Sequence, residues 1–368
     1  MNKLDTEYPN KMEHMNYAKY ILLALNRKYP PQRLTMVKIY HGYFTKMGIP
    51  FRLFVADSKS DDERIVRAGS ASSPSLFMRE ALFAFRLMQY VIRHRKEIRY
   101  VHLINPVLFC QTPILSARLV GVPIVFDLRS APIMANPFKY VVLWLLDVLS
   151  LLFCSRIVVL CKKMLEEKYG GFFLGKSVEL PLGFVPREPT ADRDIGADNV
   201  LKFVMPTTLH RTRRLEVIFE AFKGLPQHHL YLYGDGPELA ELKSAYGGWP
   251  NIHLMGYCPY EELVDKLPEF DCGVAFIPRT PYYEYQPPLK TIEYLGAGLP
   301  VIATNTYGNR IYVNEQNGVL IDDTTEALRQ ALVEMKPADY DRGRIRRGVE
   351  RYKWDTILQS VFESELGL

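Results

Sequence analysis

The chain has 368 residues, more than one hydrophobic core usually sustains, so two domains are expected. Hydrophobic residues make up 48% and charged residues 24%, ordinary globular values that exclude a disordered or low-complexity chain. The net charge of +5 divides unevenly, with 26 Lys plus Arg against 14 Asp plus Glu in residues 1–180, net +12, and 20 against 27 in residues 181–368, net −7. A basic first half suits a phospholipid surface, a lipid diphosphate or a nucleic acid. No helix-turn-helix, zinc-finger or aromatic RNA-binding signature accompanies the charge, which argues against nucleic acid.

Residues 1–17 carry acids and no apolar stretch of signal-peptide type, and they read as a polar extension. Strand-like runs follow at Tyr20–Leu25, Phe51–Ala56, Tyr100–Ile104, Ile124–Asp127 and Ile157–Leu160, with helical patterns between them. After the first run, the loop Tyr29-Pro30-Pro31-Gln32-Arg33 offers Gln32 and Arg33 to an acceptor or a diphosphate. The segment Ser75–Arg99 predicts a long helix with Arg79, Arg86 and Arg93 on nearly one face, either a membrane-surface helix or a sheet-covering one. Asp127 and Arg129 stand at a strand end, where parallel sheets hold ligands; a part in acceptor activation and a mutual structural pairing both fit. Tyr140–Leu160 is the longest apolar window. With Asp147 and Arg156 inside it, it reads as a buried helix and a strand, and no membrane span is expected. The five cysteines, at 110, 154, 161, 258 and 272, form no CxxC pair, which argues against zinc and a disulfide framework and for buried thiols in a reducing cytoplasm.

A run rich in Pro, Gly and Asp supplies a linker at 184–199, which separates residues 1–183 from a second alternating pattern over 200–350. Its strands fall at Lys202–Met205, His229–Tyr233, His253–Met255, Cys272–Ile277 and Val301–Ala303, and residues 351–368 form a last helical segment. The fold class is therefore α/β, two doubly wound Rossmann-like domains. Three arginines crowd the helix entrance in Thr207–Arg214, where Arg211 and Arg213 suit a diphosphate. Gly234-Asp235-Gly236-Pro237 reads as a tight turn into a helix, and Gly256-Tyr257-Cys258-Pro259-Tyr260 as a second turn.

The richest stretch is Pro287–Thr304, PPLKTIEYLGAGLPVIAT. Two prolines predict a helix opening at Leu289, with Lys290 and Glu293 in its first turns; Gly296 and Gly298 close it, and a buried strand follows. A helix N-terminus with a lysine suits a phosphate, and a carboxylate one turn on can accept hydrogen bonds from vicinal sugar hydroxyls. Together they describe a nucleotide site.

On these residues, and on the GDGP turn, the chain resembles the GT-B retaining glycosyltransferases of family 4 (group 1). The resemblance is strong over residues 200–305 and looser before them. It implies two domains facing across a cleft, with the acceptor on the N-terminal side, the nucleotide sugar on the C-terminal side, and the last helix crossing back. It makes Glu293 the ribose-binding second acid of a pair, whose first member, eight residues earlier, touches the donor sugar; that position holds Tyr285, with Glu284 beside it. Pro288 and Lys290 look like the Pro-x-Lys element that replaces the first acid in a subset of relatives. Relatives neutralise the leaving group with an Arg and a Lys five residues apart; Arg213 takes the Lys position, Thr208 stands where the Arg would be, and Arg211 compensates. Cys258 and Tyr260 fall where relatives hold the base.

The activity so implied is retaining, metal-independent and cofactor-free transfer of a sugar from a nucleoside diphosphate to a hydroxyl of a glycan or lipid-linked acceptor. Bacterial surface-polysaccharide or lipid-linked glycan assembly would be its setting, in the cytoplasm or peripherally at the inner face of the plasma membrane through the basic domain. Arg213, Lys290 and Asp127 would carry the chemistry. Glu293, Arg211, Glu284, Tyr285, Cys258, Tyr260 and Leu289 would bind the donor, and Gln32, Arg33 and Arg129 would serve the acceptor or diphosphate. Two other readings share the fold: a nucleotide-sugar epimerase, which needs no acceptor, and a non-catalytic homologue acting as a partner subunit.

Overall fold

Strands buried on both faces must be apolar at nearly every position, and that is how the sheets of this protein are written into its sequence. The computed structural model describes residues 19–30, 36–73, 75–104, 109–129, 137–187 and 200–366. In chain order the first part holds β1 (Tyr20–Tyr29), α1 (Met36–Met47), β2 (Phe51–Ser58), β3 (Ile65–Arg67), α2 (Leu76–Arg93), β4 (Ile98–Ile104), α3 (Gln111–Leu119), β5 (Ile124–Leu128), α4 (Pro137–Phe153), β6 (Arg156–Val159), α5 (Lys162–Tyr169) and β7 (Ser177–Glu179). The sheet order is β3-β2-β1-β4-β5-β6-β7, and β1 pairs in parallel with both β2 and β4. The order therefore reverses at β1, the signature of a doubly wound sheet.

The second part holds β8 (Leu201–Pro206), α6 (Leu215–Phe222), β9 (His228–Tyr233), α7 (Leu239–Tyr246), β10 (Ile252–Gly256), α8 (Tyr260–Lys266), β11 (Cys272–Ala275), α9 (Leu289–Gly296), β12 (Val301–Thr304), α10 (Tyr307–Arg310), β13 (Gly318–Ile321), α11 (Thr325–Glu334), α12 (Arg342–Gly348) and α13 (Trp354–Gln359). Its sheet is parallel at every pairing, in the order β10-β9-β8-β11-β12-β13. Two apolar layers cover it. Phe203, Met205, Val274 and Ile302 pack on one face with Leu215, Ile218, Phe219 and Leu328, while Val204, Ala275, Val301 and Ala303 pack on the other with Ile292, Tyr294 and Leu295. Alternate strand residues supply alternate layers, as a period of two requires.

The ten expected strands are present, β1 longer than its apolar run. β3, β7 and β13 were not expected, being three or four residues long at or near sheet edges. Chain contacts separate two compact units, Met1–Leu128 with Met134–Ile157, and Arg129–Ile133 with Val158–Leu368. The polar extension 1–17, Gln32, Arg33 and linker residues 188–199 lie outside the described residues.

Two expectations about helices are corrected. The helix expected over Ser75–Arg99 is α2, which ends at Arg93 because β4 begins at Ile98; Ser75 caps it by accepting from the Met78 amide. Its arginines do not share one environment, since the Arg86 guanidinium folds back to the Ala68 carbonyl. The helix in Tyr140–Leu160 is not buried: α4 turns much of its apolar surface outward. Its sequence lacks the polar stripe that marks a surface helix, so burial was the natural inference.

Candidate functional site

In the second unit the strand order reverses between β8 and β11, and the loops leaving these two strands carry the expected basic and acidic residues. Ligands of open parallel sheets collect at such a reversal, beyond the strand C-termini.

The loop after β8 is shaped by glycine. The Gly234 φ is 154°, and a Cβ there would enter the Thr207 carbonyl; a Cβ on Gly236 would enter that of Leu209. The Leu209 amide donates to the Asp235 carbonyl at 3.1 Å, so the GDGP turn and the basic loop lie backbone on backbone. Arg211–Arg213 then form a single tight turn, and Arg214 takes a left-handed conformation at φ 50° before α6. The three arginines part. Arg211 points outward and pairs with Glu238 at 3.3 Å, Arg214 pairs with Asp323 at 3.0 Å, and Arg213 lies over the Tyr283 ring at 5.0 Å.

Across the reversal point, α9 begins at Leu289 as expected, with Pro288 before it and no side chain capping its N-terminus. The helix is pinned from below. Tyr294 is fully buried and donates to the Val204 carbonyl at 3.1 Å; Gly273 leaves the space for its ring. Thr291 donates to Asn309 Oδ1 at 2.8 Å, tying α9 to α10. Gly296 passes against the Phe184 ring, and Gly298, at φ 83°, reverses the chain into β12. A rigid α9 therefore presents Lys290 and Glu293, three residues apart and so on one side of the helix.

Both groups are tuned by burial. Desolvation of the Lys290 ammonium, with a smaller push from the Arg213 cation, brings its pKa down to about 7. Glu293 is 8% exposed, and desolvation pushes its carboxyl up to about 8, partly offset by the Tyr260 hydroxyl. The Tyr260 hydroxyl lies near enough to Glu293 to favour its charged form, yet neither it nor Glu293 Oε1 completes a hydrogen bond of good geometry. The two line a cavity of about 110 Å³ with Arg187, Asp265 and Arg346. A buried acceptor left unsatisfied is costly, and a ligand hydroxyl would remove that cost.

Glu284 is engaged elsewhere. Its Oε1 accepts from the Tyr307 amide at 3.0 Å and faces Arg310 at 3.5 Å, so it holds the first turn of α10. Tyr285 packs its ring 5.6 Å from that of Tyr307. Cys258 is half-buried, and burial raises its thiol pKa. Asp127 is fully buried, accepts from the Tyr40 hydroxyl at 2.8 Å and lies 3.3 Å from His102 Nε2. Arg129 donates to the Leu180 carbonyl at 2.7 Å. A strand-end position marked both residues for ligand contact, whereas the aspartate side chain turned into the layer of α1.

Tyr283, Tyr307 and Arg310 were not singled out from the sequence. The run Tyr282–Tyr285 immediately before the two prolines was the signal for the first of them, since aromatic rings beside a cationic loop suit a sugar face.

Residues 201–336, which hold Arg213, Tyr260, Lys290 and Glu293, match the family model described as Glycosyl transferases group 1. A search among curated proteins returned no match. Three similar solved structures are the lipopolysaccharide outer core galactosyltransferase WaaB, the pneumococcal O-GlcNAc transferase GtfA and HepE of Anabaena. WaaB is 13% identical with a TM-score of 0.67, over 94% of this chain and 99% of its own. GtfA is 12% identical with a TM-score of 0.69, over 94% and 98%. HepE is 14% identical with a TM-score of 0.67, over 95% and 100%. These likenesses establish the fold as two parallel-sheet α/β domains of the GT-B glycosyltransferase kind, and the group 1 match falls on the domain that carries the candidate site.

Proposed function

We propose that this chain is a glycosyltransferase that moves a sugar, with retention of configuration, from a nucleoside diphosphate to an acceptor hydroxyl. The observation that carries the reading is the convergence of Arg213, Lys290 and the uncapped N-terminus of α9 at the sheet's reversal point. As the glycosidic bond breaks, negative charge grows on the departing diphosphate, and fixed cations and helix amides there stabilise the transition state more than the ground state. Glu293 takes the ribose hydroxyls. The acceptor arrives on the face the leaving group departs from, and its proton passes to the diphosphate, so a glycosidase-type carboxylate pair is not needed. Arg213 and Lys290 supply the positive charge that a metal would otherwise bring.

The acceptor is assigned to the N-terminal domain, residues 1–183, and the donor to residues 200–350, joined by the linker 184–199 and followed by the returning segment 351–368. Pro288 and Lys290 are read as the Pro-x-Lys element. The setting that suits the reading is cytoplasmic assembly of a surface polysaccharide or lipid-linked glycan. GtfA and HepE were solved with UDP, which makes uridine diphosphate the first nucleotide to try.

The test has two stages. Calorimetric titration with UDP, GDP, ADP and CMP, with and without chelator, is expected to give selective, chelator-insensitive binding of one diphosphate. Product analysis with the matching nucleotide sugar then separates transfer, which needs an acceptor, from epimerisation, which does not. A folded protein that binds none of these nucleotides and turns over no sugar would favour the non-catalytic reading, for which Tyr285 at the first-acid position is the motivating residue.

A further inference from the structure

The second unit carries a groove that the transfer reading does not use. Its volume is about 850 Å³, and three consecutive residues, Val319, Leu320 and Ile321, line its floor. Neighbouring strand residues point to opposite faces, so a floor made of all three is the edge of a strand rather than the face of a sheet. That strand, β13, is the last in the sheet, with β12 on its other side. α11 packs on β13 and forms one wall; Tyr340 and Arg344 stand on the other, where a tight turn at Pro337–Asp339 leads toward α12.

The main chain of this edge is open to pairing. The Asn317 carbonyl accepts from the Val301 amide at 3.1 Å and the Ile321 carbonyl from the Asn305 amide at 2.7 Å, so these residues, and Val319 between them, turn their backbone groups toward β12. Backbone groups alternate in direction along a strand, so those of Leu320, and of Asp322 just beyond, turn toward the groove. Edge strands usually block further pairing with a charge, a proline or a bulge. β13 reads Gly-Val-Leu-Ile and pairs with β12 in unbroken register, so it has none of the three. Its protection is depth and brevity: four recessed residues exclude a broad sheet and admit one extended chain. α11 leaves room for that chain with Ala327 and Ala331, one turn apart on the groove wall.

Charge identifies the occupant. Glu315, Glu334, Asp339 and Asp341 stand exposed on the rim, against the cations Lys336 and Arg344. A second copy laid edge to edge would bring these acids together, and like charges facing across a strand pair are destabilising. An extended polypeptide with lysine or arginine at alternate positions meets both demands of the groove. Its main chain pairs with the strand edge, and its cations meet the acidic rim.

We propose that the β13 edge takes an extended basic segment of a partner polypeptide, which adds a seventh strand to this six-stranded sheet. Main-chain hydrogen bonds to Leu320 and Asp322 hold the segment, its cations reach Glu334 and Asp339, and its smaller side chains pack beside Ala327 and Ala331. β13 spans about 13 Å, so a segment of roughly six to eight residues covers it with both ends free. The assignment does not rest on the transfer reading, because the groove holds none of Arg213, Lys290 and Glu293 and needs no nucleotide.

The test is an array of peptides of about eight residues, with lysine at alternate positions and valine, threonine or serine between, probed with the full chain without nucleotide. A second array carries glutamate in place of lysine. The lysine array is expected to retain the chain and the glutamate array to leave it in solution. With the strongest peptide, hydrogen exchange should show the Leu320 amide becoming protected. Glu334→Lys with Asp339→Lys should lower affinity by fluorescence anisotropy at least about tenfold, and so should N-methylation of alternate peptide amides, which removes main-chain donors and leaves the protein untouched. Both acids are exposed, so the melting temperature and calorimetric nucleotide affinity of the double variant should stay at wild-type values. Four outcomes would overturn the assignment: no retention by the lysine array, equal retention by both arrays, undiminished binding of the folded double variant or of the N-methylated peptide, or a dimer that protects the Leu320 amide without peptide.

Discussion

The Arg213 guanidinium stands close enough to the Lys290 ammonium to help burial draw its pKa down to about 7. Two cations held near each other in a partly desolvated site are unfavourable until an anion joins them. Arg213 rests on the Tyr283 ring and Lys290 on the rigid α9, so neither is free to swing far.

Lys290→Ala and Glu293→Ala should each weaken binding of the cognate nucleoside diphosphate by about tenfold or more, with melting temperatures close to wild type or higher. Calorimetry checks this. Unchanged affinity in both folded variants would sink the site assignment.

Glu293 makes stability depend on pH with a definite sign. Its folded pKa of about 8 lies above the ordinary 4.5, so the folded state holds a proton that the unfolded state has lost. Its contribution is full below pH 4.5 and falls as pH rises toward 8. Glu293→Gln should remove that decline and raise stability by about 1–2 kcal/mol at pH 9, while weakening nucleotide binding. Thermal melts across pH 5–9 read the slope.

Lys290 has the opposite sign. Its folded pKa of about 7 lies below the ordinary 10.5, so stability from this group is present above pH 10.5 and is lost as pH falls toward 7. Lys290→Met should flatten that limb in the absence of nucleotide. A diphosphate bound beside the ammonium would favour its charged form, so a proton should be taken up on binding near pH 8, measurable in Glu293→Gln by titration in two buffers.

Gly234→Ala should cost more than about 2 kcal/mol, because a Cβ at φ 154° would meet the Thr207 carbonyl, and neither backbone can yield alone. Denaturant melts give the number. Nucleotide affinity should fall too, since the displaced loop carries Arg213.

Glu284→Ala separates two roles. Loss of its bond to the Tyr307 amide should cost about 1 kcal/mol of stability. If the carboxylate also touches the donor sugar, transfer slows while UDP affinity holds; an unchanged rate in the folded variant would confine Glu284 to its hold on α10.

Much of the site was legible because its local rules are strong. Two prolines, a lysine, a glutamate and two glycines in Pro287–Gly298 allowed little except a helix opening at Leu289 and closing before a buried strand. The GDGP glycines were recognisable as a turn, though not their partner, since only the fold brings Thr207 and Leu209 against them. The partners of Asp127 were out of reach for a related reason: a strand-end aspartate can face a ligand or the core, and its contacts Tyr40 and His102 are distant in sequence.

The sequence by itself determined the two parallel sheets, the order of their elements and which loops hold the cations, because strands buried on both faces and helix ends have composition rules that act over a few residues. Tertiary structure decided the rest. The pKa values of Lys290 and Glu293 depend on how completely neighbours exclude water, the occupation of Glu284 depends on where α10 begins, and the outward turn of α4 depends on which side of that helix Gln111 and the rest of α3 already cover. Each of these is set by residues far apart in the chain, at a range over which a local pattern carries no information.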